Sequence, residues 1–202
     1  MDTALGRGYV TLDTSLPIWD RFFIPTPLII VGSRDEEGND NLAPKNMAMP
    51  LGAGNYFGFM CTPRHRTHRN IEHTRAFSVS FPPADHVVMA SIAATPRSDD
   101  GIKHSLAALP TDRATRPGCL FLREAYVWLE CELARVVEGF DDYNLIAGKI
   151  LAAHVSKEAL RSSDRDDNEL VHDFPLVTYL HPGRYAEVDR SYAFPFPLGF
   201  HR

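Results

Sequence analysis

Residues Pro27 to Asn46 read PLIIVGSRDEEGNDNLAPKN. Pro27 to Ser33 is nearly all apolar, which predicts a strand buried on both faces. Arg34 to Asp40 is a polar turn in which Gly38 supplies the flexible position. Asn41 to Met47 then predicts a second strand that folds back on the first as a hairpin. Pro44 interrupts this second strand. A proline removes a ladder donor, so the strand is an edge or carries a bulge there. A bulge would free neighbouring N–H groups to face a ligand; on these residues alone an ordinary irregular edge is the simpler reading.

The same pattern continues outward. Residues 1 to 26 form an extended lead-in, with Pro17, Pro25 and Pro27 blocking regular helix. Ala53 to Cys61 predicts a third strand, whose glycines leave room for close backbone approach. Thr67 is placed to cap a short helix within Thr62 to Arg75, and Ala76 to Phe81 alternates like a half-buried strand. Asp85 to Thr95 predicts an amphipathic helix with Val88, Ser91, Ile92 and Thr95 on one face. Residues 96 to 123 are irregular, apart from a short helix near Ser105 to Leu109.

Ala125 to Val137 and Leu145 to Val155 predict two long antiparallel strands across a turn at Gly139 to Asn144. On the first, Tyr126, Trp128, Glu130 and Glu132 share one face, and the two acids mark it as wet. A polar segment spans Ser156 to Asn168. The tail from Pro175 holds one short strand, LVTYL, and a Pro/Phe-rich stretch. Strands outnumber helices and come in hairpin-like pairs. The expected fold is mainly β: an antiparallel sheet curled into a barrel, with a few peripheral helices.

Composition narrows the function. The 202 residues carry 21 Lys+Arg against 26 Asp+Glu, a net charge of −5. One domain spanning 1–202 is the default at this length. The charge leaves no overall footprint for nucleic acid or an anionic membrane. No apolar run approaches the ~20 residues of a membrane span, and Met1 to Leu12 lacks the apolar core of a secretory signal. Cys61, Cys119 and Cys131 fit neither a disulfide framework nor a CxxC pair. A soluble, cytoplasmic protein with reduced thiols is expected.

The densest polar cluster is Arg64-His65-Arg66-Thr67-His68-Arg69-Asn70. Three arginines beside a predicted helix start suit a phosphate, because helix N-termini offer free N–H groups and Arg adds bidentate donors. A solvated basic loop is the plainer alternative. His65, His68 and His73 are joined only by Glu72, so no metal is expected. Cys61 near Arg64 reads more simply as a buried cysteine ending a strand. No G-x-S-x-G, Walker or G-x-G-x-x-G motif is present, and no catalytic nucleophile is assigned.

The order of these pieces resembles the flavin reductase-like family, whose fold is the Greek-key, FMN-binding split β-barrel. The resemblance rests on Asn41/Ala43/Pro44, then Arg64/Thr67/Asn70/Ile71, then Phe77/Val79, and covers about residues 22 to 156. It implies a homodimer with a flavin at or near the subunit interface. FMN is the implied cofactor, with FAD or riboflavin as alternatives and NADH or NADPH as hydride donor. Asn41, Ala43, Pro44, Lys45 and Asn46 would lie along the isoalloxazine and ribityl chain. Cys61 and Thr62 would flank them, and Arg64, Arg66 and Thr67 would hold the phosphate. The implied function is a flavin-dependent oxidoreductase that passes electrons to free flavin or a protein acceptor. The alternative is a non-catalytic FMN-binding electron carrier. His154 is a candidate on the nicotinamide side. The insertion at 96–123 and the tail at 175–202, with five aromatics from Tyr185 to Phe200, depart from shorter members. Such segments would close over the flavin or cross to the other subunit.

Overall fold

The apolar run that opens the hairpin divides at Leu28, giving β1 (Ile24–Pro27) and β2 (Ile29–Arg34). This is a computed structural model; it describes residues 8–99, 101–116 and 118–199. Residues 1–7 of the lead-in, and Phe200 in the aromatic tail, lie outside the described residues. In β2, Ile29, Ile30 and Val31 are all fully buried. Ile29 and Val31 join one core cluster and Ile30 another, so the strand does bury both faces.

β2 pairs antiparallel with β3 (Asp40–Lys45) and with β6 (Ala76–Phe81). The sheet continues through β9 (Val127–Phe140), β10 (Tyr143–Val155), β5 (Tyr56–Cys61) and β4 (Ala48–Pro50), seven strands in all, each pair antiparallel. β9 and β10 form one long hairpin whose register shifts at three points along β10. Bulges of this kind add local twist and help curl a sheet into a half-barrel. Gly58 serves as expected: a Cβ there would meet Leu51 Cδ1 at 2.8 Å and the Ile146 carbonyl at 3.2 Å, so a side chain would crowd the approach of β5 to β10.

The concave core packs Phe59 edge-to-face on Phe77 at 5.6 Å, with Ile71 of α1 (Arg66–Thr74) sealing one end. The opposite face carries Ile30 and Leu42 against α2 (Val87–Ala93). α2 is shorter than expected, and its buried face is Ala90 and Ala93; Val88 is exposed. Small residues let this helix sit close to β2 and β3, so packing overrides the more hydrophobic stripe.

Among its described residues the insertion is more regular than expected, and the short helix expected near Ser105 to Leu109 is present. It holds a 3-10 turn (His104–Ala108) and a hairpin of β7 (Thr111–Arg113) and β8 (Leu120–Leu122). Ser78 Oγ donates to the Leu120 carbonyl at 2.6 Å, and Leu122 N–H donates to Ser80 Oγ at 3.0 Å, docking β8 on β6. Phe121 stacks on Trp128 with ring centroids 5.0 Å apart. The face expected to be wet is therefore covered at Trp128 and Glu130, while Glu132 stays exposed as expected. Glu130 is buried, and its carboxylate accepts from Thr115 N–H at 3.3 Å and Arg116 N–H at 2.9 Å.

Beyond β10, α3 (Asp167–Asp173) is capped by Asp166, whose carboxylate accepts from Asn168 and Glu169 N–H groups. The polar Ser156–Asn168 segment conceals this helix start. β11 (Leu176–His181) pairs with β1 and with β12 (Arg184–Val188), a strand the tail did not suggest. No helix among the described residues is long and apolar enough to cross a membrane.

Candidate functional site

β3 is an edge strand of the large sheet, and its free edge is the floor of the site. Antiparallel strands turn alternate residues' backbone groups to the partner and away from it. The Asp40 and Leu42 carbonyls face away: Arg97 Nη2 donates to the first at 3.0 Å and Lys103 Nζ to the second at 2.6 Å. Pro44 is next in this alternation. Its missing N–H belongs to the free edge, so it costs no ladder bond, and its pairing with Ile30 is unbroken. Pro44 thus marks an edge and makes no bulge.

α1 begins beside this edge. Its N-cap is His65, which places no side chain on the first N–H groups, and the first turn carries no acid. Thr67, expected as the cap, lies inside the helix. Its buried Oγ1 accepts from Asn41 Nδ2 at 3.1 Å, tying α1 to β3. Asn70 Nδ2 donates to Ser33 Oγ at 3.2 Å and makes a second tie, to β2. These buried polar bonds fix where the helix N-terminus points.

Between β3, the start of α1 and the end of α2 lies a cleft of about 420 Å³. Five cations line it: Lys45, Arg64, Arg66, Arg97 and Lys103. Arg64 pairs with exposed Asp142, and Arg66 Nη1 lies 3.8 Å from Asp35. Burial opposes ionisation of Asp35, but hydrogen bonds from Asn39 and the Arg66 and Arg97 charges outweigh it and hold its pKa low. The cations crowd each other. Burial, then Arg97 and Lys45, push Lys103 down from 10.5 to about 8. Burial and Arg66 lower Arg97, partly offset by Asp35. Burial, then Lys45 and Arg64, lower His65.

The cleft therefore stores positive charge that two carboxylates do not balance. Donors converge there from side chains and from an uncapped helix start. A phosphate monoester dianion meets each of these features.

Among the residues expected at the site, Asn41, Ala43, Pro44, Lys45, Arg64, Arg66 and Thr67 line this one cleft. Asn46 faces elsewhere, into an apolar hollow with Trp19, Ile24, Met47 and His181. Cys61 is packed in the core, and burial raises its thiol pKa. Thr62 is buried, and its Oγ1 accepts from Arg64 N–H at 3.4 Å, so it sets the loop that carries Arg64. His65, Arg97 and Lys103 line the cleft without having been expected there. The last two come from the insertion, where no periodicity announced them.

The three histidines of the motif diverge. His68 is buried between Glu72, 3.0 Å from its Nδ1, and Asn144, 3.0 Å from its Nε2. His73 reaches Glu36, and His65 lies beside Lys45. His154 stands at the other end of the sheet: it is ten residues along β10 from Asn144, about 30 Å of strand at ~3.3 Å per residue.

The sequence model of the flavin reductase like domain matches residues 20–188. The fold is similar to that of the FMN-binding protein from Thermus thermophilus, solved with bound 1-cyclohex-2-enone (25% identity, TM-score 0.72, 93% of this chain and 99% of that one). It is also similar to flavoredoxin of Desulfovibrio vulgaris (Miyazaki F) (21% identity, TM-score 0.73, 99% and 100%). A third similar structure is nitrilotriacetate monooxygenase component B from Bacillus cereus (20% identity, TM-score 0.75, 96% and 98%). The matched span takes in the edge-strand hairpin, the helix start and the insertion that together build the cleft, and the chain belongs to the flavin reductase like family.

Proposed function

We propose that the cationic cleft holds the phosphate of FMN and that the chain is a flavin-dependent oxidoreductase. Its hydride donor is NADH or NADPH, and its electrons pass to free flavin or to a partner protein. The observation that carries this reading is the convergence of five cations and an uncapped helix start on one cleft. The similar protein from Thermus thermophilus, named as FMN-binding, supports the choice of ligand.

When bound, the flavin supplies the redox chemistry. The chain's own residues bind and orient it. Arg64, Arg66, Lys45 and the first N–H groups of α1 grip the phosphate, while Arg97 and Lys103 brace the β3 edge and add charge. The free edge at Ala43 to Lys45 lies along the rest of the molecule. No nucleophile is required, which agrees with three buried thiols.

A homodimer completes the reading. Exposed Trp19 and Met47 line the hollow with Asn46, and exposed Phe22 packs against Trp19, an apolar face suited to a second copy. The alternative, an FMN-binding electron carrier, draws support from the fold likeness to flavoredoxin.

One experiment separates these. The purified protein, supplied with FMN, is mixed with NADH or NADPH, and absorbance is followed. Oxidation of the nicotinamide supports the reductase. A yellow protein inert to both favours the carrier. A protein that binds neither FMN nor FAD removes both readings. Light scattering at about twice the chain mass supports the dimer, and a monomer at micromolar concentration refutes it.

A further inference from the structure

We propose that the groove at the far end of β9 and β10 is a second ligand site, one that takes an aromatic ring bearing an ammonium group. The groove has a volume of about 500 Å³ and is walled by Tyr126, Trp128, Phe174 and His154. Its rings are held in place. Trp128 lies flat on Phe121, the planes 11° apart, and its Nε1–H donates to the Leu122 carbonyl at 2.9 Å. Tyr126 meets Phe174 edge-to-face at 5.4 Å. A preformed aromatic wall of this kind favours a flat ring at low ordering cost.

The polar end of the groove is the imidazole of His154, backed by the buried carboxylate of Glu130. Glu130 is 2% exposed and is gripped by the Thr115 and Arg116 N–H groups. Its Oε1 lies 3.4 Å from His154 Nε2, while the His154 side chain is 54% exposed. In the neutral imidazole, a carboxylate that accepts at Nε2 leaves Nδ1 as the acceptor. That acceptor suits a ligand N–H.

The charges of the groove select the sign of the ligand. Asp85, Glu124 and Glu158 are exposed around it. His86 Nδ1 lies 2.7 Å from Asp85. The lining arginine, Arg123, is committed to Asp112, with Nε 3.2 Å from both carboxylate oxygens. Three lining carboxylates stand against one paired arginine, so a cation is favoured there over an anion such as a flavin phosphate. A cation held over aromatic faces gains further attraction from their quadrupoles. This site is distinct from the cationic cleft, which has the opposite charge and lies at the other end of β10.

The test is calorimetric titration of the full chain with phenethylammonium and with phenylacetate, which share a ring but differ in the sign of charge. The expected result is saturable one-site binding, at least tenfold tighter for the ammonium, and unchanged by saturating FMN. His154→Phe, which keeps an aromatic wall and removes the acceptor, should weaken binding several-fold. The surface variant Glu158→Gln, which leaves the rings alone, should weaken it two- to fivefold. Absence of saturable binding, equal binding of the two probes, or displacement of phenethylammonium by FMN overturns the proposal. So does full affinity in both variants.

Discussion

Lys103 donates its ammonium group to the Leu42 carbonyl at 2.6 Å and to the Ala93 carbonyl at 2.7 Å. One side chain from the insertion thus clasps the free edge of β3 to the end of α2. It shields an exposed strand edge that would otherwise invite pairing with another chain. It also brings a buried positive charge to the cleft. The fold accepts a strained cation where an anion would relieve it.

That arrangement predicts a pH dependence. In the fold, burial and the Arg97 and Lys45 charges set the Lys103 pKa at about 8, against 10.5 ordinarily. Below about 8 both folded and unfolded chains carry this proton, and the penalty on folding is fully present. Between about 8 and 10.5 only the unfolded chain keeps it, so this group's contribution to stability rises with pH across that window. A bound phosphate works in the opposite direction, because it favours the charged ammonium. FMN affinity should therefore be highest below about pH 8 and fall as pH rises beyond it, with proton uptake on binding measurable by calorimetry in buffers of different ionisation enthalpy. Lys103→Met should flatten the profile; an unchanged slope in that variant would remove Lys103 from the account.

The arginines of α1 and its approach loop give a second prediction. Arg64→Ala or Arg66→Ala should weaken FMN by roughly 10- to 100-fold, the scale of a charge-assisted hydrogen bond worth ~1.5–3 kcal/mol. Riboflavin lacks the phosphate and should lose much less. Titration by flavin fluorescence reads both ligands, and equal losses would refute the phosphate role.

What the sequence reveals here depends on how local the determining interactions are. The Pro27–Asn46 hairpin and the long β9–β10 pair were legible because their hydrophobic pattern and their turns lie within the segment itself. The arginine motif was legible for the same reason. Glu130 was misread as solvated because alternation shows which face a residue shares, and the hairpin that covers that face lies in a segment with no periodicity. Arg97 and Lys103 were missed on the same ground: they reach the cleft through tertiary docking of the insertion. Thr67 has the chemistry of a cap, but Asn41 engages its hydroxyl from another strand. α2 turned its alanines inward because close approach to β2 and β3 outweighed the more hydrophobic stripe.

The thiols provide a third prediction. Cys61, Cys119 and Cys131 are all buried thiols. Burial pushes Cys119 and Cys131 to about 12 and raises Cys61 despite nearby Lys45. Thiolate is the reactive form, so the folded protein should resist alkylation by iodoacetamide at pH 8 for hours. All three thiols should react once the chain is unfolded in guanidinium, as counted by mass spectrometry. Rapid labelling of Cys61 in the folded state would show that the strand end beside the cleft opens.

The last prediction concerns Gly32, which faces the bond that docks the insertion. A Cβ at this position would fall onto the Leu120 carbonyl and the Ser78 hydroxyl, the two partners of the hydrogen bond that joins β8 to β6. The obstruction includes backbone, so no rotamer change removes it. Gly32→Ala should cost the ~1–3 kcal/mol of overpacking and about 1 kcal/mol for the lost bond. At ~2–4 °C per kcal/mol for a chain of this size, Tm should fall by roughly 5–15 °C. The hairpin that β8 belongs to also carries Phe121, so the near-ultraviolet signal of Trp128 should change. The same insertion supplies Arg97 and Lys103, so FMN affinity should fall as well, though neither the glycine nor the hairpin lines the cleft. Gly54→Ala is the control: a Cβ there meets only the Tyr56 ring, at 3.5 Å, an ordinary contact. If both variants melted together and bound FMN alike, the docking of the insertion would not be what positions the two cations.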